Sequence, residues 1–278
     1  VVNVLPGFGD AGAALVDHAD VDKVAFTGST EVGKKIVAAA AGNLKKVSLE
    51  LGGKSPNIIL DDADLEVAIP GAANAIFFNH GQACTAGSRL FVHEKVYDQV
   101  VEGVSKAAQS IQLGPGMSES TQMGPLVSQT QFDRVSGYLH SGKEQGARCV
   151  TGGERHGDKG YFVKPTVMAD ADEQMKIYQE EIFGPVLSAI KFKDVDGDLL
   201  RKANDTIYGL AAGVFTTNVS RAHKLAARLR AGTVWVNTYN VLDAGMPFGG
   251  YKQSGWGREM GPEVLENYLE TKSVCVGL

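Results

Sequence analysis

Cys84 and Glu50 are the two residues of this chain whose types and surroundings suit covalent chemistry. Small and polar residues flank Cys84, so its thiol is accessible enough to react. Glu50 lies between Leu49 and Leu51 on an apolar run, where burial would raise the pKa of a carboxyl group to a value useful for a base. A thiolate adds to carbonyl carbons, and a base can activate the water that hydrolyses a thioester. Residues of these two types are the ones that thiol addition to a carbonyl and subsequent hydrolysis require.

Both residues also have a common structural interpretation. A free cysteine is most often a buried, inert thiol, and a glutamate at a strand end is most often solvated. Taken alone, Cys84 favours the inert interpretation, and its neighbours shift the balance only modestly toward reactivity. Cys149 and Cys275 lie in strand-like contexts, so we predict that both are inert.

Two further segments have polar residues at the ends of predicted elements. Residues 26–33 read as a strand, a turn and a helix start, where backbone amides and the Ser29 hydroxyl could bind a diphosphate. The spacing from Gly28 to Gly33 differs from the common Gly-x-Gly-x-x-Gly pattern, so a helix capped by Ser29 or Thr30 is the simpler interpretation. Residues 180–186 likewise read as a helix end followed by a Gly-Pro break.

Composition and charge exclude several classes of protein. With 278 residues, 44% of them hydrophobic and 21% charged, the chain suits a folded α/β enzyme with a sizeable core. The net charge of -5 gives no electrostatic basis for binding nucleic acid or an anionic membrane. No apolar run is long enough to cross a bilayer, and we recognise no secretory leader. We therefore predict no nucleic-acid partner and no membrane segment.

The cysteines, the histidines and the first residues carry three further predictions. Three widely separated cysteines argue against a disulfide framework and for a reducing compartment, so we predict a cytoplasmic protein. Six scattered histidines show no metal-ligand spacing, and we predict no catalytic metal. Residues 1–5 contain no Met and read as a strand already within a fold, so we expect the C-terminal part of a longer protein.

The order of elements predicts an α/β fold. Strands and helices alternate in the first 52 residues, which implies parallel pairing and part of a doubly wound, dinucleotide-binding sheet. The predicted elements there are strands 1–5, 23–27 and 46–51 and helices 11–18 and 31–41. From residue 53 a second α/β unit follows, with strands 57–60, 162–167, 186–192, 211–215 and 233–237 and helices 65–78, 95–110 and 129–145. We predict domains at 1–52, 53–253 and 254–278, the last ending in a terminal strand at 271–276.

Five motifs together resemble signatures of the aldehyde dehydrogenase superfamily. Residues 77–89 (Phe-Phe-Asn-His-Gly-Gln-Ala-Cys-Thr-Ala-Gly-Ser-Arg) and 49–56 (Leu-Glu-Leu-Gly-Gly-Lys-Ser-Pro) are similar to its nucleophile and base segments. Residues 28–33, 180–186 and 247–255 also match, and the whole chain resembles the later portion of such an enzyme. The resemblance implies oxidation of an aldehyde to a carboxylic acid with hydride transfer to NAD, or alternatively NADP. Cys84 would form a thiohemiacetal and then a thioester, and Glu50 would be the general base.

The same resemblance assigns binding residues and partners. The cofactor-binding residues that it implies are Gly28, Ser29, Gly33, Leu51, Gly52, Glu181 and Phe183. Phe248 and Leu242 would line the substrate tunnel, although both could equally be apolar packing residues of a loop. Residues 254–278 are similar to phenylacetaldehyde dehydrogenase-like bacterial members, which implies an aromatic aldehyde. The terminal strand pairs with a partner subunit in this family, so a homodimer or homotetramer is expected.

Two alternatives stay open beside this hypothesis. In a CoA-acylating relative, CoA rather than water accepts the acyl group, and the presence of Glu50 argues against it. A truncated, non-catalytic assembly partner is favoured by the absence of the upstream strands. Size-exclusion behaviour and cofactor binding would separate that partner from the enzyme.

Overall fold

The computed structural model describes residues 1–278, apart from the side chain of Asp196. In chain order the strands are β1 (Lys23–Thr27), β2 (Lys46–Glu50), β3 (Pro56–Ile59), β4 (Arg89–His93), β5 (Arg148–Thr151), β6 (Thr166–Ala169), β7 (Val186–Phe192), β8 (Ala211–Phe215), β9 (Thr233–Val236) and β10 (Gly255–Trp256). The α-helices are α1 (Gly9–Asp17), α2 (Thr30–Ala40), α3 (Leu65–Phe77), α4 (Tyr97–Ser110), α5 (Gln129–Glu144), α6 (Lys176–Gln179), α7 (Leu200–Asn204) and α8 (Val219–Arg228). Short 3₁₀ turns cover Phe78–Gly81, Lys252–Ser254 and Pro262–Asn267, and a π-helical turn covers Val195–Leu199.

The strands form two sheets. The smaller sheet has the order β1-β2-β10, with β1 and β2 parallel and β10 antiparallel to β2. The larger sheet has the order β5-β6-β7-β4-β3-β8-β9, and only its β5–β6 pair is antiparallel. The parallel pairs and the helices between the strands confirm the predicted α/β class.

The core surrounds the larger sheet on both faces. Every residue of β3, β4, β6 and β8 is buried, as expected for central parallel strands that helices cover on both sides. Alternate residues of one strand face opposite ways, so Ile58 belongs to one hydrophobic cluster and Ile59 to the other. These two clusters hold the strands of the larger sheet in place, and the loops described below begin and end at those strands.

Two predicted strands are wrong at the chain ends. Residues 1–5 form no regular structure and are all exposed. Residues 271–276, the predicted terminal oligomerisation strand, also form no strand, and residues 271–278 are all exposed. A strand needs hydrogen bonds to a neighbouring strand, and neither segment has such a neighbour within the described chain.

None of the helices that the structure describes combines the length and the apolar composition that a bilayer crossing requires.

Candidate active site

Cys84 lies in a turn between α3 and β4. The backbone bends sharply after α3 ends, because Asn79, His80 and Gly81 have φ values of 48°, 60° and 66°. A hydrogen bond from the Ala86 N–H to the Ala83 carbonyl, 3.0 Å long, closes the turn around Cys84. The candidate nucleophile therefore lies in a hydrogen-bonded turn that leads into the buried strand β4, and its side chain is partly buried.

Glu50 is the last residue of β2 and is buried in the smaller sheet. Its carbonyl accepts the Gly28 N–H at 3.0 Å, and its Cα pairs with that of Gly255 on β10. The side chain is 6% exposed, and Oε2 has no hydrogen-bond partner. Burial, followed by the charge of Glu259, raises the pKa of Glu50 to about 8, although Arg258 opposes the shift. Glu50 can therefore exchange a proton near neutral pH.

Gly53 follows the Glu50 segment in the chain and contacts both Cys84 and Glu181. Its N–H donates to Glu181 Oε1 at 2.9 Å, and a Cβ at this position would overlap the carbonyl oxygen of Cys84. A Cβ on Gly52 would in turn overlap Glu181 Oε2. The Gly-Gly pair that follows the base segment therefore lets Cys84 and Glu181 pack against one backbone.

The environment of Cys84 disfavours the thiolate. Burial, followed by the charges of Glu181 and Glu50, raises the pKa of the Cys84 thiol to about 11. Two backbone interactions, at Thr85 and at Cys84 itself, oppose the shift. The thiol is therefore protonated at neutral pH in this state, and positive charge placed beside it would lower its pKa.

Glu181 and Phe183 lie on an irregular segment held by α5. The Gln131 side chain donates to the carbonyls of Ile182 and Phe183, at 3.1 and 2.7 Å, and Arg134 donates to the Glu181 carbonyl at 2.6 Å. Phe183 has a positive φ of 58°, which is uncommon for an aromatic residue. Burial is the largest cause of the raised pKa of Glu181, and the hydrogen bond from Gly53 opposes it.

The start of α2 is capped by Ser29, as one of the two predicted interpretations has it. Ser29 Oγ accepts the Val32 N–H at 3.2 Å, and both Gly28 and Ser29 are exposed. Gly33 is buried, and a Cβ there would lie 2.8 Å from Leu51 Cδ1. The cap and the predicted diphosphate site are compatible, because the open helix start still presents amide N–H groups to solvent.

The two predicted substrate residues have different surroundings. Phe248 is half-buried and exchanges two 2.7 Å backbone hydrogen bonds with Glu259. The next residue, Gly249, approaches the base so closely that a Cβ would lie 2.8 Å from Glu50 Oε1. Leu242 is 52% exposed on the loop after β9. The structure therefore brings the segment of Phe248 and Gly249 to Glu50, whereas Leu242 lies on an exposed part of the loop.

Sequence reasoning missed Lys54, which follows the Gly-Gly pair. Lys54 is 1% exposed, and its Nζ has no hydrogen-bond partner. Burial, and then the charge of Arg89, lowers the pKa of Lys54 to about 7, while Glu181 and Glu180 oppose the shift. A lysine beside apolar strands is normally solvated, so only the fold reveals this one as buried.

The part of the chain that the structure describes holds no cluster of three or more His, Cys, Asp or Glu side chains that could bind a metal ion. Cys84, Cys149 and Cys275 are all free thiols.

Comparison with known proteins gives a consistent result. A family model described as the aldehyde dehydrogenase family matches residues 1–274. The protein DhaS of Bacillus subtilis is 58% identical over 279 residues, which cover 100% of this chain and 56% of the relative. A mitochondrial aldehyde dehydrogenase of Homo sapiens is 52% identical over 278 residues, or 99% of this chain and 54% of the relative.

A solved structure shares the fold closely. The NAD⁺ complex of an aldehyde dehydrogenase from Bacillus cereus superimposes with a TM-score of 0.97 at 56% identity, covering 99% of this chain and 56% of that chain. This chain therefore spans about half the length of the relatives that it matches.

Proposed function

The chain belongs to the aldehyde dehydrogenase family, and we propose that it oxidises an aldehyde to a carboxylic acid with NAD as the hydride acceptor. One observation carries the proposal: Gly53, which follows the Glu50 segment, packs against the Cys84 carbonyl and donates its N–H to Glu181 Oε1 at 2.9 Å. A nucleophile, a base and a fixed carboxylate thus meet at one point. An aldehyde, water and NAD⁺ would give an acid, NADH and a proton.

Cys84 and Glu50 divide the chemistry between them. The Cys84 sulfur adds to the aldehyde carbon while the thiol proton goes to the carbonyl oxygen, which gives a thiohemiacetal. Loss of a hydride to the acceptor and of the hydroxyl proton to solvent then leaves a thioester on Cys84. Glu50 then takes a proton from water, and the resulting hydroxide attacks the thioester carbon. The bond between sulfur and carbon breaks, the acid is released, and Cys84 recovers its proton.

The residues of the proposed cofactor site fit a dinucleotide. Gly28 and Ser29 are exposed at the α2 N-terminus, where the amide N–H groups of the first turn that the Ser29 cap does not use could bind a diphosphate, and Gly33 lets this helix pack against Leu51. When bound, NAD would supply an electron-poor ring that accepts the hydride. The Bacillus cereus relative, whose structure holds NAD⁺, supports NAD over NADP.

Glu181, Phe183 and Gly52 would hold the other end of the cofactor. The hydrogen bond from Gly53 fixes Glu181 Oε1, so the carboxylate is oriented to accept hydrogen bonds from two ribose hydroxyls. Phe183, held by Gln131, would pack on the ring, and Gly52 keeps the space beside Glu181 free of a side chain.

Glu50 supports water, rather than CoA, as the acyl acceptor. CoA carries its own nucleophilic thiol, so transfer to it requires no base to activate water. A buried carboxyl with its pKa raised to about 8 is suited to water activation. The CoA-acylating alternative therefore has less support than hydrolysis.

The finer proposals concern substrate, assembly, domains and location. We propose an aromatic aldehyde, which is supported by the half-buried Phe248, the residue before the Gly249 that approaches Glu50. Exposed apolar residues of the tail support a homodimer or homotetramer; they are Tyr268, Leu269, Val274 and Val276. The division into two sheets supports separate domains at 1–52 and 53–253. The return of β10 to the smaller sheet supports a third segment at 254–278. The cytoplasmic location stays a prediction.

The test is NADH formation by this chain supplied with NAD and phenylacetaldehyde. Turnover that Cys84→Ser abolishes and Cys149→Ser preserves would support the proposal. Equal turnover in the parent and Cys84→Ser would refute the thioester mechanism. A folded parent chain that binds no NAD and forms no NADH would favour the non-catalytic assembly partner.

A further inference from the structure

The loop that follows β9 binds the residue directly after the nucleophile. The Tyr239 hydroxyl donates to the carbonyl of Thr85 at 2.8 Å. The Thr85 hydroxyl donates to Asn240 Oδ1 at 3.0 Å. Two adjacent residues of one loop therefore hold the carbonyl and the hydroxyl of Thr85, the neighbour of Cys84.

This loop is itself fixed to the larger sheet. The Asn237 side chain accepts from the Thr216 N–H and donates to the Thr216 carbonyl, both at 2.9 Å. The Trp235 indole donates to the Val241 carbonyl at 2.8 Å, which closes the other side of the loop. Asn237 and Asn240 adopt φ values of 54° and 57°, a conformation that asparagine tolerates better than most residues. The two contacts to Thr85 thus come from a rigid base.

The ring of Tyr239 occupies a space that two glycines leave open. A Cβ on Gly213 of β8 would lie 2.7 Å from the ring, and a Cβ on Gly87 would lie 3.3 Å from its Cζ. Tyr239 is 6% exposed and packs against Trp235 with ring centroids 4.7 Å apart. Burial raises the pKa of Tyr239 well above its ordinary value, so the hydroxyl stays a donor at any working pH.

We propose that Tyr239 is a positioning residue, which holds the Cys84 turn in its reactive position by binding the carbonyl of Thr85. The inference rests on the proposed function in one respect, namely that Cys84 is the nucleophile. Without the hydroxyl, Thr85 loses one of its two contacts and the turn gains freedom. The Cys84 thiol then gains contact with water and loses its fixed place beside Glu50.

The consequence is measurable at the thiol. Burial is the largest cause of the raised pKa of Cys84, so a looser turn should bring that pKa down toward its ordinary value. Each unit of decrease raises the thiolate fraction about tenfold, while lower nucleophilicity reduces the net gain to about threefold. Alkylation of Cys84 should therefore become faster in the variant although aldehyde turnover becomes slower.

The experiment compares Tyr239→Phe with the parent and with Tyr178→Phe. Tyr178 is a matched control, because it is fully buried and its hydroxyl also donates to a backbone carbonyl, that of Lys202, at 2.8 Å. Iodoacetamide labelling would be followed by mass spectrometry of the Cys84 peptide from about pH 7 to pH 10. We expect labelling of Cys84 to be about threefold faster in Tyr239→Phe than in the parent, and its rate to reach a plateau at a lower pH than in the parent. We expect no change in Tyr178→Phe.

The outcomes separate positioning from simple stability. A lower melting temperature in both variants with unchanged Cys84 labelling would overturn the proposal. If Tyr239→Phe does not fold, Asn240→Ala removes the other contact to Thr85 and should accelerate labelling in the same direction, and unchanged labelling there would equally overturn it. Labelling requires no aldehyde turnover, so this result is independent of whether the proposed oxidation occurs.

Discussion

The two carboxylates beside Cys84 differ in their partners, which is why they suit different roles. Glu50 has an oxygen with no hydrogen-bond partner and lies close to the charge of Glu259. Glu181 accepts the Gly53 N–H, and the positive charge of Lys54 lowers its pKa in opposition to burial. Burial raises the pKa of both carboxyl groups, but the one with the free oxygen can take and release a proton, whereas the hydrogen-bonded one stays oriented as an acceptor.

Replacing Glu50 by Gln should separate the two halves of the reaction. The amide cannot accept the proton of water, so NADH should form once per Cys84 and steady turnover should fall about a hundredfold or more. Stopped-flow absorbance would record the initial burst and the steady rate that follows it. Unchanged steady turnover in Glu50→Gln would refute the assignment of the base.

The pKa of Glu50 also predicts the pH dependence of turnover. The base acts in its ionised form, and its pKa is about 8. Where thioester hydrolysis limits the rate, turnover should therefore rise about tenfold per pH unit below pH 8 and level off above it. Steady-state rates across this range would test the prediction, and a profile that is already flat at pH 6 would contradict it.

At the level of elements, strands with turn residues on both sides were predictable, and a strand that begins with a charged residue was not. Strands β1, β7 and β8 have the predicted bounds, because their apolar runs are flanked by clear turn residues. The central strand β4 was missed, since its five buried residues begin with Arg89, which reads as the polar end of the nucleophile motif. Arg89 is buried because it donates to the carbonyls of Lys54, Lys202 and Ala203, partners that come from distant parts of the chain.

The candidate site was predictable to a similar degree. The motifs indicated Cys84 and Glu50 as a pair, and the structure packs Gly53, three residues after Glu50, against the backbone of Cys84. The role of Gly53 could not be predicted, because its contacts with Cys84 and Glu181 join residues far apart in the sequence. Tyr239 was equally hidden, since its space is made by glycines on two other segments.

A side chain at Gly53 should disrupt the site more than the fold. The Cβ of Gly53→Ala would overlap the Cys84 carbonyl, so the base segment and the nucleophile turn must move apart. We expect turnover to fall at least about tenfold, because small displacements of reacting groups have large effects on rate. Gly137→Ala is the matched control: it lies within α5, its Cβ would meet no atom within 4 Å, and it should add about 0.5–1 kcal/mol of stability. Equal turnover in both variants would contradict the role of Gly53.

At the scale of the whole molecule, the site lies where the two sheets meet. The end of β2 supplies Glu50 from the smaller sheet, and the turn before β4 supplies Cys84 from the larger one. The Leu51 N–H donates to the carbonyl of Ser254 at 2.9 Å, so the C-terminal segment also supports this junction. Side chains buried where the two sheets meet therefore affect both the reactivity of the site and the free energy of unfolding.

Lys54 should make this stability dependent on pH. Its pKa is about 7 in the folded chain and near 10.5 when unfolded, so between these values the unfolded state binds more protons. The free energy of unfolding should therefore rise from pH 7 toward pH 10, with Lys54 contributing about 1 kcal/mol per pH unit, and its full destabilising effect should persist below pH 7.

Lys54→Met keeps the length of the side chain and removes the amine, so it should abolish that contribution to the rise and increase stability most at or below pH 7. Urea unfolding at pH 7 and pH 10 would measure the difference, with Lys106→Met at an exposed position as the control. A parent and a Lys54→Met variant that differ equally at both pH values would show that Lys54 keeps its proton in the folded chain. The amine would then act on Glu181 as a fixed positive charge.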